Sequence, residues 1–199
     1  MKVILIPGMG CTPIESSNWY LWFCDQVRLR STGSSSDTQT NVECDLYPYP
    51  DPYQCRESVW VPFVQTKIDD PAQTIIVGHS SGAACAMRLL EQYGKNERTT
   101  PIRACILVAA AYTDLDDDDE RQSEYFNRPW DWESIRRGCS TPIILFHGTD
   151  DPLIPVAEAR YIAEQLTSKY CDYRERKGKS HFFRPWDELL EAIDAHLLN

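Results

Sequence analysis

An α/β fold with a mostly parallel central sheet flanked by helices is predicted for this chain on three observations. Short β-rich runs alternate with longer helix-like windows along its 199 residues. Several of the short runs are continuously apolar, as strands buried on both faces of a parallel sheet must be. One of them ends in a Gly-x-Ser-x-Gly turn that leads directly into a helix start.

The first strand candidate, residues 3–6, reaches Pro7-Gly8 too soon to be the apolar core of a signal peptide. A helical window follows at 19–29. Residues 31–42 read as a polar surface insertion, because Ser31 to Asn41 contains no apolar residue, and no chemistry is assigned to it. Residues 44–47 are a weaker strand candidate and 56–68 a helical window. Strands at 74–77 and 104–108 bracket a helix at 83–93. The run from Asp114 to Glu120 holds five Asp and one Glu with only Leu115 between them. It would repel itself inside a packed helix, so it reads as a solvated loop. A strand at 143–146, a helix at 156–166, a strand at 171–176 and a helix at 186–197 complete the alternation. Right-handed crossovers between parallel strands follow from that order. With no internal repeat and no linker, residues 1–199 are expected to form a single domain.

Composition narrows the function. Hydrophobic residues at 42% and charged residues at 25% are those of a globular chain. A formal net charge of −10 speaks against a nucleic-acid partner or an anionic membrane surface. No stretch approaches the roughly 20 apolar residues of a membrane span. The eight cysteines form no C-x-x-C pair and lie beside no histidine ligand pattern, so no metal and no cofactor are expected. Reduced thiols in a cytoplasmic protein are the simpler account.

The chemistry is expected at Gly78-His79-Ser80-Ser81-Gly82. A serine on a tight strand-to-helix turn projects its hydroxyl above the sheet, and the helix N-terminus behind it favours developing negative charge. Ser80 is therefore the candidate nucleophile. It needs a general base, and in folds with this elbow the order along the chain is Ser, then acid, then His. Of four histidines, His181 is the one in a loop after the last strand candidate, whereas His79, His147 and His196 lie on the elbow, at a strand end and in the terminal helix. The acid is expected one strand earlier, in His147-Gly148-Thr149-Asp150-Asp151-Pro152. Asp151 is preferred on the spacing Gly148-x-x-Asp, with Asp150 beside it and Asp114 as a third option. Two backbone N–H groups should complete the site as oxyanion donors, those of Met9 after the first strand and Ser81 after the nucleophile.

Further residues carry a more specific signal: Arg56-Glu57-Ser58-Val59-Trp60-Val61-Pro62-Phe63, the elbow itself, and Tyr125-Phe126-Asn127-Arg128-Pro129-Trp130-Asp131-Trp132-Glu133. With Thr149-Asp150-Asp151-Pro152 they make the chain resemble, over nearly its whole length, the small serine hydrolases related to retinoblastoma-binding protein 9, within the α/β-hydrolase superfamily. The resemblance implies a compact α/β-hydrolase fold with little or no lid and a Ser80, Asp151, His181 triad. It also implies ester or amide substrates, including derivatives of hydrophobic amino acids. Trp130 and Trp132 are the candidates to wall an aromatic or acyl pocket beside Ser80, the alternative being that two tryptophans at this spacing anchor a short helix on the core. The competing reading is a protein-interaction module that keeps the hydrolase fold and meets a partner through the acidic run or the polar insertion.

Overall fold

The computed structural model describes residues 1–32, 42–96 and 98–197. Most of the polar insertion expected at 31–42 therefore lies outside the described residues. The elements in chain order are β1 (Lys2–Ile6), α1 (Tyr20–Thr32), β2 (Glu43–Asp45), α2 (Glu57–Gln65), β3 (Thr74–His79), α3 (Ser81–Lys95), β4 (Ala104–Val108), α4 (Asp118–Gln122), α5 (Trp132–Arg137), β5 (Ile143–Gly148), α6 (Val156–Leu166), β6 (Cys171–Arg176) and α7 (Asp187–Leu197). Six strands form one sheet in the order β2-β1-β3-β4-β5-β6, and each neighbouring pair is parallel.

The apolar runs take the centre of that sheet. Val3 to Ile6, Ile75 to Val77 and Ala104 to Val108 have no exposed surface, and each fully buried Val, Leu or Ile side chain contributes about 1.5–3 kcal/mol of transfer free energy. Helices cover both faces, as parallel strands require. At the edge, β6 carries Asp172, Arg174, Glu175 and Arg176; this charge keeps an unpaired strand edge from recruiting another chain.

Several boundaries differ from those read off the sequence. The weak strand at 44–47 shortens to Glu43–Asp45 because Pro48 and Pro50 follow closely and cannot donate to a ladder. The 56–68 window is α-helical only to Gln65; the amides of Thr66, Lys67 and Ile68 then bond three residues back, tightening the last turn. Helix α1 runs on to Thr32.

The acidic run is not wholly a loop, which corrects the sequence reading. Asp118–Gln122 is helical, with the Asp117 carboxylate accepting from the amides of Asp119 and Glu120. Acidic side chains in a first turn suit the positive end of the helix. Arg121 then gathers Asp114, Asp116 and Asp118 around one guanidinium, relieving the repulsion. Upstream, the Glu158 carboxylate accepts from the Tyr112 and Thr113 amides at 2.9 and 3.0 Å, so the segment leaves β4 at a fixed angle.

The strand order locates the site. From β1 the chain crosses to β2 on one side, while β3 leads on to β4 on the other. The crevice beyond the C-terminal ends of β1 and β3 is the topological switch point, where open α/β sheets bind their ligands.

Candidate active site

Ser80 stands at this crevice, between the last residue of β3 and the first of α3, with φ 56° and ψ −125°. Such a backbone is sparsely populated for any residue with a side chain and costs about 1–3 kcal/mol. The surroundings hold it. The Ser80 amide donates to the Val108 carbonyl at 2.9 Å, and its own carbonyl accepts from Ala83 at 2.8 Å. A Cβ on Gly82 would overlap the carbonyl oxygens of Ile6 and Pro7, and one on Gly78 would overlap the Gly82 carbonyl. Both glycines are therefore required for α3 to press against β1 and β3.

His181 follows β6 in a tight loop. Its Nδ1 lies 2.8 Å from Asp151 Oδ2, with the His181 and Asp151 side chains 3% and 0% exposed. The other Asp151 oxygen accepts from the amides of Leu153 and Ile154 at 2.8 and 3.0 Å. Burial by itself would raise the Asp151 pKa; the hydrogen bonds from His181, Ile154 and Leu153 outweigh it and hold the carboxylate below its ordinary value. Asp150 faces the same loop differently, accepting from the amides of Gly178 and Ser180 at 2.8 and 3.3 Å. Of the two adjacent carboxylates, one meets the imidazole and its neighbour ties down the loop that carries it. Asp114 is engaged by Arg121 instead.

Ser80 and His181 line one cavity of about 410 Å³, together with Met9 and Ser81. The amides flanking Met9 are committed: that of Gly8 donates to Tyr20 Oη at 2.9 Å and that of Gly10 to the Pro52 carbonyl at 2.7 Å. Two sets of lining residues differ in character. Leu115, Leu153 and Phe183 supply apolar surface, and Asp117, Asp119 and Glu120 supply carboxylates.

Trp130 and Trp132 are not at this cavity, which corrects the expectation of an aromatic wall beside Ser80. Trp130 lies over the Arg88 guanidinium at 3.6 Å, donates its Nε1–H to the Tyr112 carbonyl at 2.8 Å, and lines a separate groove with Phe126 and Arg128. Trp132 opens α5, whose N-cap Asp131 accepts from the Ser134 amide. The planar cation of Arg88 on α3 draws the Trp130 ring to that face.

Tyr20, His79 and Glu120 take places at the site that the sequence reading did not assign to them. His79 lines the cavity, and its ring makes a buried hydrogen bond with Tyr20, Oη to Nδ1 at 2.7 Å. Glu120, read as one of many solvated acids, turns inward and accepts from the Ser81 hydroxyl at 3.3 Å. Its position six residues beyond Asp114 carries no sequence signal, since only the short helix α4 rotates it away from its neighbours.

Burial raises the Glu120 pKa above the ordinary glutamate value, against the opposing pull of the Ser81 hydroxyl. A raised folded-state value means that the fold favours the protonated acid. That contribution is complete below the ordinary carboxylate range and is lost as pH rises through the raised value. Glu120→Gln is therefore expected to raise Tm near about pH 7.5 and to leave it unchanged below about pH 4. Thermal unfolding at the two pH values checks this, and equal shifts at both would contradict it.

Comparison with known proteins bears on the family and the fold. Residues 35–189 match the family described as serine hydrolase. The chain is 38% identical over 197 residues to serine hydrolase RBBP9 of Rattus norvegicus, covering 98% of this chain and 95% of that protein. Among solved structures, the ydeN gene product of B. subtilis superposes with a TM-score of 0.79 at 19% identity, covering 100% of this chain and 99% of that one. Est1E of Butyrivibrio proteoclasticus, solved with ferulic acid bound, gives 0.68 at 14% identity over 100% and 90%. At these identities the two structures speak for the fold alone, which is the α/β-hydrolase fold. Sequence match and architecture together place the chain in the serine hydrolase family.

Proposed function

We propose that the protein hydrolyses carboxylic esters or amides of small hydrophobic or aminoacyl substrates through an acyl-enzyme on Ser80. The observation that carries this reading is the buried Asp151–His181 pair, 2.8 Å apart, opening into the cavity that Ser80 lines. Asp151 bonded to Nδ1 makes that nitrogen the protonated one and leaves Nε2 as the base. Ser80 Oγ attacks the substrate carbonyl as His181 Nε2 takes its proton. The Met9 and Ser81 amides receive the oxyanion. Collapse of the tetrahedral intermediate passes that proton to the departing alcohol or amine, and water activated by the same nitrogen then releases the acid.

The cavity walls bear on substrate class. Asp117, Asp119 and Glu120 line it, and no lysine or arginine among the described residues does. Such a wall favours a substrate bearing an ammonium group and disfavours an anionic one. Leu115, Leu153 and Phe183 offer apolar surface to the remainder. Together they suit an aminoacyl derivative with a hydrophobic side chain. All eight cysteines are free thiols, in keeping with a reducing cytoplasmic location.

The direct test is labelling with a fluorophosphonate probe, which reacts only with an activated serine. Wild type should label, and Ser80→Ala and His181→Ala should not. Folded wild type that resists the probe would defeat the reading. Matched aminoacyl ester and amide substrates then separate esterase from amidase, because only the amide requires His181 to protonate a poor leaving group.

A further inference from the structure

Two loops approach Ser80 from opposite ends of the sequence. One follows β1 and brings the Met9 amide; the other follows β6 and brings His181. Neither is a regular element, so something must fix their separation, since a displacement of about 1 Å in such a site costs about a hundredfold in rate.

A single chain of buried hydrogen bonds spans the gap. The Gly8 amide donates to Tyr20 Oη at 2.9 Å, Tyr20 Oη is 2.7 Å from His79 Nδ1, and His79 Nε2 is 2.9 Å from the backbone carbonyl of His181. Tyr20 is 0% and His79 1% exposed. Chemistry gives every link one direction. A carbonyl can only accept, so His79 Nε2 carries a proton. Desolvation, with a smaller contribution from His181, pushes the His79 pKa down to about 3, so the ring is neutral and its Nδ1 is bare. Tyr20 must then donate to Nδ1, which leaves its oxygen lone pairs for the Gly8 amide and for Asn18 Nδ2 at 3.2 Å. The residue preceding Tyr20 adds a parallel strut, Trp19 Nε1 donating to the Phe182 carbonyl at 2.8 Å.

We infer that Tyr20 and His79 are positioning residues for the hydrolysis, holding the Met9 oxyanion loop and the His181 loop in register across Ser80. The inference rests on the proposed catalytic role of those two loops. It assigns a task to the histidine within the Gly-x-Ser-x-Gly turn: its two ring nitrogens are engaged by Tyr20 and by the peptide carbonyl of the general base. His79 is in place because β3 lies beside β1, so the last side chain of β3 reaches the start of α1 on one side and the His181 loop on the other.

The two halves of the chain can be cut separately. Tyr20→Phe removes one hydroxyl at nearly constant volume and breaks the link to Gly8 and to His79 Nδ1. In His79→Gln the amide nitrogen can occupy the place of Nε2 and keep the bond to His181. In His79→Asn the side chain reaches only the place of Nδ1, and that bond is lost. The measurements are kcat and KM for p-nitrophenyl butyrate, the rate of fluorophosphonate labelling, and Tm. Expected are a fall in kcat of about tenfold or more for Tyr20→Phe, with KM within about threefold, and higher kcat in His79→Gln than in His79→Asn. The labelling rate should fall in parallel with kcat. Should the His79 variants fail to fold, Tyr20→Phe alone decides. Wild-type kcat in folded Tyr20→Phe, equal losses in both His79 variants, or losses that merely track the folded fraction would overturn the inference. Absence of labelling in wild type would instead overturn the catalytic reading itself, so the two failures are distinguishable.

Discussion

Turnover of an acyl ester by Ser80→Ala is expected to fall by about 10⁴ to 10⁶-fold, with KM little changed where it can still be measured. Of the other nucleophile-bearing side chains that line the cavity, the Ser81 hydroxyl donates to Glu120 and Cys11 lies on the loop that follows β1; it is Ser80 Oγ that makes the bond defining the intermediate. The same position offers a second readout, because its backbone sits at φ 56°, ψ −125° whatever the side chain. Ser80→Gly should therefore abolish turnover and yet raise Tm by about 2–4 °C, the shift that relief of about 1 kcal/mol of strain produces in a chain of this size. Alanine, which keeps a Cβ, should show no such gain. Full turnover in a verified Ser80→Ala protein would remove Ser80 from the mechanism. An unchanged Tm in Ser80→Gly would show that the turn is not strained.

Stability should suffer most from Arg88→Met. Arg88 is 0% exposed yet charged. It donates to Glu91 at 2.5 Å, to the Tyr125 carbonyl from two nitrogens, and to the carbonyls of Arg128 and Pro129 at 2.7 and 3.2 Å, while the Trp130 ring covers its face. Methionine would fill much of the volume and pair with none of these groups. The buried Glu91 carboxylate would keep only Lys95, and the carbonyls of Tyr125, Arg128 and Pro129 would lose these donors, the first of them in the interior. Loss of one partner from a buried charge pair costs about 3–5 kcal/mol, a large part of the roughly 5–15 kcal/mol that holds a domain together. Tm should fall by about 10 °C or more. Urea unfolding of the two proteins measures the difference, and a loss below about 1 kcal/mol would mean that the network contributes nothing net.

Much of this was legible in the chain itself. Continuous apolar runs could only be strands covered on both faces, and the central strands proved to be so. The Gly-x-Ser-x-Gly turn was readable because its glycines answer a local demand: no side chain fits where α3 meets β1 and β3. His181 and Asp151 could be named because chain order and loop position restrict the choices to a few residues. The indole pair at 130 and 132 was misplaced, since an aromatic side chain looks the same in sequence whether it walls a pocket or covers a buried arginine.

Hydrophobic periodicity thus determined the class of the fold, while the Gly-x-Ser-x-Gly motif, chain order and spacing singled out Ser80 and the residues expected to act with it. Tertiary structure alone decided that Asp150 ties down the loop that carries His181, that Glu120 turns to face the cavity, and that Tyr20 and His79 join loops 173 positions apart. The physical reason is one of range. Strand burial and elbow geometry act over a few residues and leave periodic traces, whereas a hydrogen bond between a side chain and a distant backbone group depends only on where the sheet order brings the two, and leaves no pattern along the chain.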